Sequence, residues 1–282
     1  MEKQWCRTVM TVSGRVLIWA ALLMPAMLVA QVTTSEGMSA RSVALGGMST
    51  VGARWAFAAS LPFEPSAGAS LSYHNRFAMA DLSTYAVGVW CPNRWLDLGL
   101  YYRRFGYSDY NENMLVLSAA KRIADDWALG VNVGYEHRYV ASEVDAPQFL
   151  TADLSFRGNM GDRLELSGRL SNLLFAELVG LQPGVTLDFL HVALGAAFWL
   201  DDAGQVMGEV AYSPLIGVQG RVGVEYRLVE AFAVRGGVML NPTAPTLGFE
   251  LRFMPLVLDV AMAYRAELGV TTMLELTYLF AQ

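Results

Sequence analysis

Between residues 232 and 280 the chain alternates. Phe232, Val234, Val238 and Leu240 share one parity, interrupted only by Gly236. Leu247, Phe249, Leu251 and Phe253 form a second set, Leu256, Leu258, Val260, Met262 and Tyr264 a third, and Leu274, Leu276, Tyr278 and Phe280 a fourth. Between them stand small or polar residues: Arg235, Gly237, Thr246, Glu250, Arg252, Asp259, Glu275 and Thr277. Successive side chains leave a strand on opposite faces, so a period of two over four segments predicts four strands. Each segment is about 9 or 10 residues, the length a tilted strand needs to cross a bilayer. In a soluble sandwich the apolar face would meet a partner sheet. In a membrane barrel it would meet lipid, and the charged face would line the lumen.

The same rhythm extends back to about residue 66. It predicts strands over 66–74, 80–91, 96–105, 114–122, 127–139, 149–157, 164–171, 187–200, 205–213, 218–228, 232–241, 246–253, 256–265 and 271–280. That makes fourteen, an even number, as a single-chain bacterial barrel requires if both termini lie on one side. The connections between them divide into two classes. Those at 92–95, 123–126, 158–163, 201–204, 229–231 and 254–255 are short and mostly turn-like, whereas the longer ones, 106–112, 140–148 and 172–186, all belong to the alternate set. A barrel with short periplasmic turns and longer outer loops sorts its connections this way, and a sandwich has no reason to. Trp90, Trp95, Tyr101, Tyr102, Trp127, Tyr139, Trp199 and Tyr212 fall near strand ends, where aromatic girdles at the headgroup level are expected.

Composition narrows the choice. Of 282 residues, 54% are hydrophobic and only 16% charged, oily for a soluble domain. No uncharged apolar run of helical-span length follows the first 30 residues, so the oil is spread through alternating segments. Those first residues have a basic start (Lys3, Arg7, Arg15), an apolar stretch over 16–30 and a small-residue end at Ala30, which predicts a signal peptide over 1–30. Its removal would take three of the 20 basic and one of the 26 acidic residues, leaving 17 and 25, a formal charge of −8. That balance, with no basic run, excludes nucleic acid as a partner. Cys91 would be the one cysteine left, so no disulfide forms within the processed chain.

Residues 31–65 do not alternate. They include a small, glycine-rich run at 39–47 with Arg41, Gly46 and Gly47, then Trp55, Phe57 and Pro62. They read either as a loose arm on the periplasmic side or as a plug inside the barrel, and their apolar content favours at least partial docking, with the barrel itself over 66–282. Three histidines on separate strands show no metal-ligand spacing, and no nucleophile elbow or phosphate loop occurs, so no catalytic residue, metal or cofactor is expected. The polar constellation is the lumen charge: Arg221, Glu225, Arg227, Arg235, Glu250, Arg252, Asp259 and Glu275. Its signs are mixed and neighbouring strands offer opposite partners, such as Glu225 and Arg235. It reads either as a selectivity lining or as a neutralised network that fills the lumen. The connection 172–180, with Leu173, Leu174 and Phe175, is apolar for a surface loop; it is an expected contact for lipid or a hydrophobic ligand, unless the flanking strand extends through it.

Several runs carry a resemblance. The stretch 232–242 (FAVRGGVMLNP), then 247–251, 256–259, 267–269 and 274–280, resembles the end of Bacteroidota outer-membrane barrels related to PorV and PorQ, within the wider long-chain fatty-acid transporter (FadL-like) superfamily. The opening run 39–47 (SARSVALGG) fits the same family, and 73–77, 81–83 and 105–112 resemble its conserved hypothetical branch. The middle, about 140–215, matches only in rhythm. Where family members often carry Asn-Pro-Ala-Gly, this chain has Leu61-Pro62-Phe63-Glu64-Pro65. The resemblance implies a non-enzymatic barrel of the Gram-negative outer membrane, surrounded by its lipid. Such a barrel would pass a hydrophobic or small solute, or alternatively act as a non-transporting scaffold in an envelope complex such as type IX secretion, with a secretion protein as partner.

Overall fold

The computed structural model describes residues 39–141, 146–179, 184–185 and 189–280. The expected signal peptide and the first arm residues, 31–38, lie outside the described residues. The strands are β1 (Gly68–Asn75), β2 (Ser83–Cys91), β3 (Asp97–Gly106), β4 (Tyr110–Ala124), β5 (Trp127–Val140), β6 (Gln148–Met160), β7 (Leu164–Val179), β8 (Gly184–Val185), β9 (His191–Trp199), β10 (Gly204–Ser213), β11 (Gly217–Val229), β12 (Phe232–Leu240), β13 (Ala244–Phe253), β14 (Leu256–Arg265) and β15 (Gly269–Leu279). β8 is a two-residue piece laid on the end of β7. The other fourteen form one antiparallel sheet in chain order, and β1 pairs with β15 from Gly68 opposite Leu279 to Asn75 opposite Thr272. The sheet is therefore a closed fourteen-stranded barrel, and closure leaves no long unpaired edge.

Alternation decides which side chains face where. On β15, Leu274, Leu276 and Tyr278 point outward and are 48%, 44% and 44% exposed, while Glu275 and Thr277 point inward and are buried. The outer wall is thus apolar and the inner wall polar, the arrangement a bilayer requires. The rim where β1 begins, here the N-terminal rim, carries the connections 92–96, 125–126, 161–163, 200–203, 230–231 and 254–255. The far rim carries 76–82, 107–109, 214–216, 241–243 and 266–268, and the strand ends at Val140, Gln148, Val179 and His191, which flank the two remaining connections, lie at the same rim.

Two expectations need correction. Trp90 and Tyr101 are not girdle residues: they share the inward parity of Gly88 and Gly99 and are buried in the lumen. Trp199 also faces inward, onto a cavity under the plug. The predicted loop from residue 172 is instead the second half of β7, which runs on to Val179. A bulge hides it. Ala152 pairs with Leu174 and Leu154 with Leu170, so Asp153 alone opposes three residues of β7. Asn172 takes φ +55, its N–H donates to the Asp153 carboxylate at 2.9 Å, and the period of two slips there.

Residues 39–65 fill the lumen without joining the sheet. Ser39 caps a short helix, α1 (Ala40–Ala44), by accepting the Ser42 N–H at 3.1 Å. Gly46 and Gly47, at φ +81 and +76, end it, with the Gly47 N–H returning to the Ser42 carbonyl. Two 3-10 turns, Arg54–Ala56 and Ala58–Phe63, lead down to β1.

Candidate functional site

The plug meets the wall through a row of lumen glycines. A Cβ at Gly88 would lie 2.5 Å from the Trp55 ring, one at Gly248 2.5 Å from the Ala44 methyl, and one at Gly130 2.5 Å from the Ala59 nitrogen. At Gly237 it would lie 2.7 Å from the Gly46 nitrogen. Each wall glycine removes a side chain where the plug backbone or a plug ring approaches. Trp55 thereby lies flat on Trp90, ring centres 5.4 Å apart and planes 2° from parallel. Leu45, Met48 and Val51 pack against Ala197 and Met207, an apolar seal on the opposite side of the lumen.

Polar contacts fix the same segment. Glu209 accepts the N–H groups of Ser49 and Thr50, both at 2.8 Å, and the Thr50 hydroxyl at 2.7 Å. The same carboxylate takes Arg221, and both side chains are completely buried. Glu275 accepts the Ala40 N–H at 2.6 Å and the Trp55 indole N–H at 3.2 Å. Thr246 accepts the Gly46 N–H at 2.9 Å and donates to the Ala44 carbonyl at 2.8 Å. Near the N-terminal rim, Arg157 donates to the Ser60 hydroxyl at 3.0 Å and Arg122 to the Pro62 carbonyl at 2.6 Å, and both guanidinium groups stack on Phe63.

The predicted charge residues converge behind this plug. Glu225 and Arg235 are register partners on β11 and β12 and form an ion pair. Arg235, fully buried, also bonds Asp259 and reaches Glu250 at 2.5 Å. Glu250 further receives Arg227 and Arg252 at 3.0 Å each and Arg54 of the plug at 3.4 Å. Arg41 of the plug reaches Glu225 at 2.8 Å. Five arginines thus meet the three carboxylates Glu225, Glu250 and Asp259, while Glu275, next to Asp259 in the strand register, is taken up by the plug. Arg221 stands apart from this group, on Glu209. So connected a network is costly to break at one member, because the remaining charge stays buried without its partner. Gly46 and Gly47 form the turn held over Gly237.

Leu173 and Leu174 are exposed on the outer wall after the bulge, whereas Phe175 turns inward. It packs on Phe149 and Phe189, with ring centres 5.1 and 4.5 Å away. The three residues therefore do not form one surface. In the far half of the lumen, Arg138 reaches Glu136 at 3.1 Å and Glu112 at 3.6 Å, and Arg169 pairs with Asp153. Among the described residues no group of His, Cys, Asp and Glu is placed to hold a metal ion. A cavity of about 270 Å³ remains between plug and wall at the N-terminal rim, lined by Arg54, Phe63, Arg157, Trp199, Met207 and Arg252 among others. Sequence reasoning missed the plug contacts of Ser49, Thr50 and Trp55, which carry no periodic signal. It also missed the wall glycines, whose inward parity was readable.

No protein-family profile matches the chain, and no curated protein does. Solved structures match its shape. The toluene transporter TbuX of Ralstonia pickettii superposes with a TM-score of 0.65 at 12% identity, over 88% of this chain and 100% of that one. A FadL homologue of Pseudomonas aeruginosa gives 0.57 at 12% identity, over 86% and 96%. The toluene transporter TodX of Pseudomonas putida gives 0.55 at 12%, over 86% and 97%. At this identity the likeness is one of fold: the chain is a closed antiparallel barrel of the shape seen in FadL-like outer-membrane proteins.

Proposed function

We propose that this chain is an outer-membrane channel for a hydrophobic solute, held shut at rest by residues 39–65. The N-terminal rim would face the periplasm, with the far rim outside. The observation that carries the reading is the way the plug is held. Its residues make no ladder pairing with the wall; they are bound by side-chain hydrogen bonds, ion pairs and contacts over glycines. Such a plug can shift while all fourteen strands stay paired. An apolar seal at Leu45, Met48 and Val51, backed by a charged network, blocks ions at rest, and the aromatic inner surfaces at Trp55–Trp90 and Phe149–Phe175 suit an apolar passenger. The solved barrels of like fold are toluene transporters and a FadL homologue, which makes monoaromatic hydrocarbons and fatty acids the first solutes to try. Uptake of labelled toluene or a fatty acid into cells expressing the chain tests this. Uptake no faster than in cells with an empty vector overturns it.

A second reading follows from how full the lumen is, and from the resemblance to PorV and PorQ. A barrel closed by ion pairs in both halves also suits a scaffold that never opens. Stoichiometric co-purification of an envelope protein, with no solute uptake, would favour that reading.

A further inference from the structure

The outer wall carries a feature that neither passage nor plugging uses. Strand register places Tyr73, Tyr85, Arg104, Asn113, His137 and Gln148 side by side on β1 to β6. The row lies toward the far rim. On β3 the other outward residues are Leu98, Leu100 and Tyr102, all exposed to the bilayer side, and Arg104 follows them two residues before the strand ends. Arg104 is exposed and has no ion-pair partner among the described residues. An outward arginine is costly at the bilayer midplane and nearly neutral at the headgroups, so Arg104 marks the headgroup level of the leaflet at the far rim.

Its neighbours are ordered for recognition. Tyr102 donates to the Asn113 side-chain oxygen and Tyr135 to that of Gln148, each at 2.8 Å. Those bonds occupy amide acceptors and leave the Gln148 amide nitrogen and the Arg104 guanidinium as donors. Beside Arg104, toward the midplane, runs an apolar groove of about 360 Å³, lined by Leu71, Tyr73, Tyr85, Val87, Tyr102 and Leu276. Tyr85 is the direct register partner of Arg104, and Tyr102 stands two residues from it on the same face, so the cation sits at the groove's outer end. A guanidinium binds phosphate in bidentate fashion, an amide donor suits a sugar hydroxyl, and the groove's apolar lining suits an acyl chain.

We infer that this patch holds one molecule of a phosphorylated glycolipid of the lipid A type, with a phosphate on Arg104 and an acyl chain laid along the groove over Leu71, Val87 and Leu276, beside the Tyr73–Tyr85 ring pair. This inference rests on the membrane orientation given above and not on what the channel passes. Native mass spectrometry of the full chain in detergent, titrated with purified lipid A, tests it. One lipid A per barrel should be retained. R104Q should weaken retention at least tenfold, and K121Q, an outward cation at the opposite rim, should not change it. Lipid A stripped of its phosphates should bind native protein no better than lipid A binds R104Q. Heat-modifiable migration on gels checks that each variant is folded. Equal retention by native protein and R104Q overturns the assignment, as does phosphatidylglycerol held as tightly as lipid A, or no retained lipid at all.

Discussion

Glu209 on β10 holds Thr50 of the plug twice, through its backbone N–H at 2.8 Å and its hydroxyl at 2.7 Å. The same carboxylate neutralises Arg221, so one side chain joins the plug to a buried ion pair of the wall. Replacing it removes the latch and leaves Arg221 buried without its carboxylate. Glu209→Ala should destabilise the protein by about 3–5 kcal/mol, the usual cost of breaking a buried pair. In planar bilayers it should show open-channel steps that the native protein lacks. Native-like silence from a folded Glu209→Ala barrel would mean that the plug does not depend on this contact.

Gly236 and Gly237 make a matched pair. They are adjacent on β12 but face opposite sides. A Cβ at Gly236 would meet Leu247 on the outer wall at an ordinary 3.5 Å, whereas one at Gly237 would meet the plug backbone at 2.7 Å. Gly237→Val should therefore expel the Leu45–Gly47 turn, raising conductance and exposing the plug to protease. Gly236→Val should do neither. Identical protease patterns for the two variants would contradict the inward packing of the turn.

The wall was legible because a strand's period of two writes burial directly into the sequence. Trp90 shows both the power of that rule and how it is lost. Its neighbours Val89 and Cys91 face out, so parity alone places it inside, yet its position near a strand end drew it into a girdle. The bulge at Asn172 could not be read, because three residues of β7 face one of β6 and the period breaks where Leu173 and Leu174 both turn outward. The plug was legible only as a non-alternating, apolar segment. Which of its residues meet Glu209 or Glu275 depends on contacts more than 150 residues apart in sequence, and no local pattern encodes them.

Orientation of the wall can be tested at neighbouring residues of β15. Leu276 faces out opposite Leu258 and Leu71, and Thr277 faces in. Leu276→Arg should lower stability in lipid vesicles by roughly 2–4 kcal/mol, and Thr277→Ser by much less. Urea unfolding followed by tryptophan fluorescence measures both. Equal losses would mean that the register is off by one residue.

Arg235 carries the most demanding prediction. It is fully buried and bonds three carboxylates, but they do not depend on it equally. Without Arg235, Glu225 would keep Arg41 and Gln205, and Glu250 would keep Arg54, Arg227 and Arg252. Asp259 has no second ion-pair partner among the described residues, and it lies directly opposite both Glu250 and Glu275 in the strand register. The cost of losing Arg235 should therefore fall mainly on Asp259. Arg235→Met should lose about 3–5 kcal/mol. Adding Asp259→Asn should restore part of it, with a coupling of roughly 1–3 kcal/mol in the double-mutant cycle, since the unpaired charge is then gone. Glu225→Gln in the same background should restore less, because Glu225 remains paired. If Asp259→Asn only adds its own loss to that of Arg235→Met, the network is not organised around this pair and Arg235 acts as a space-filling side chain.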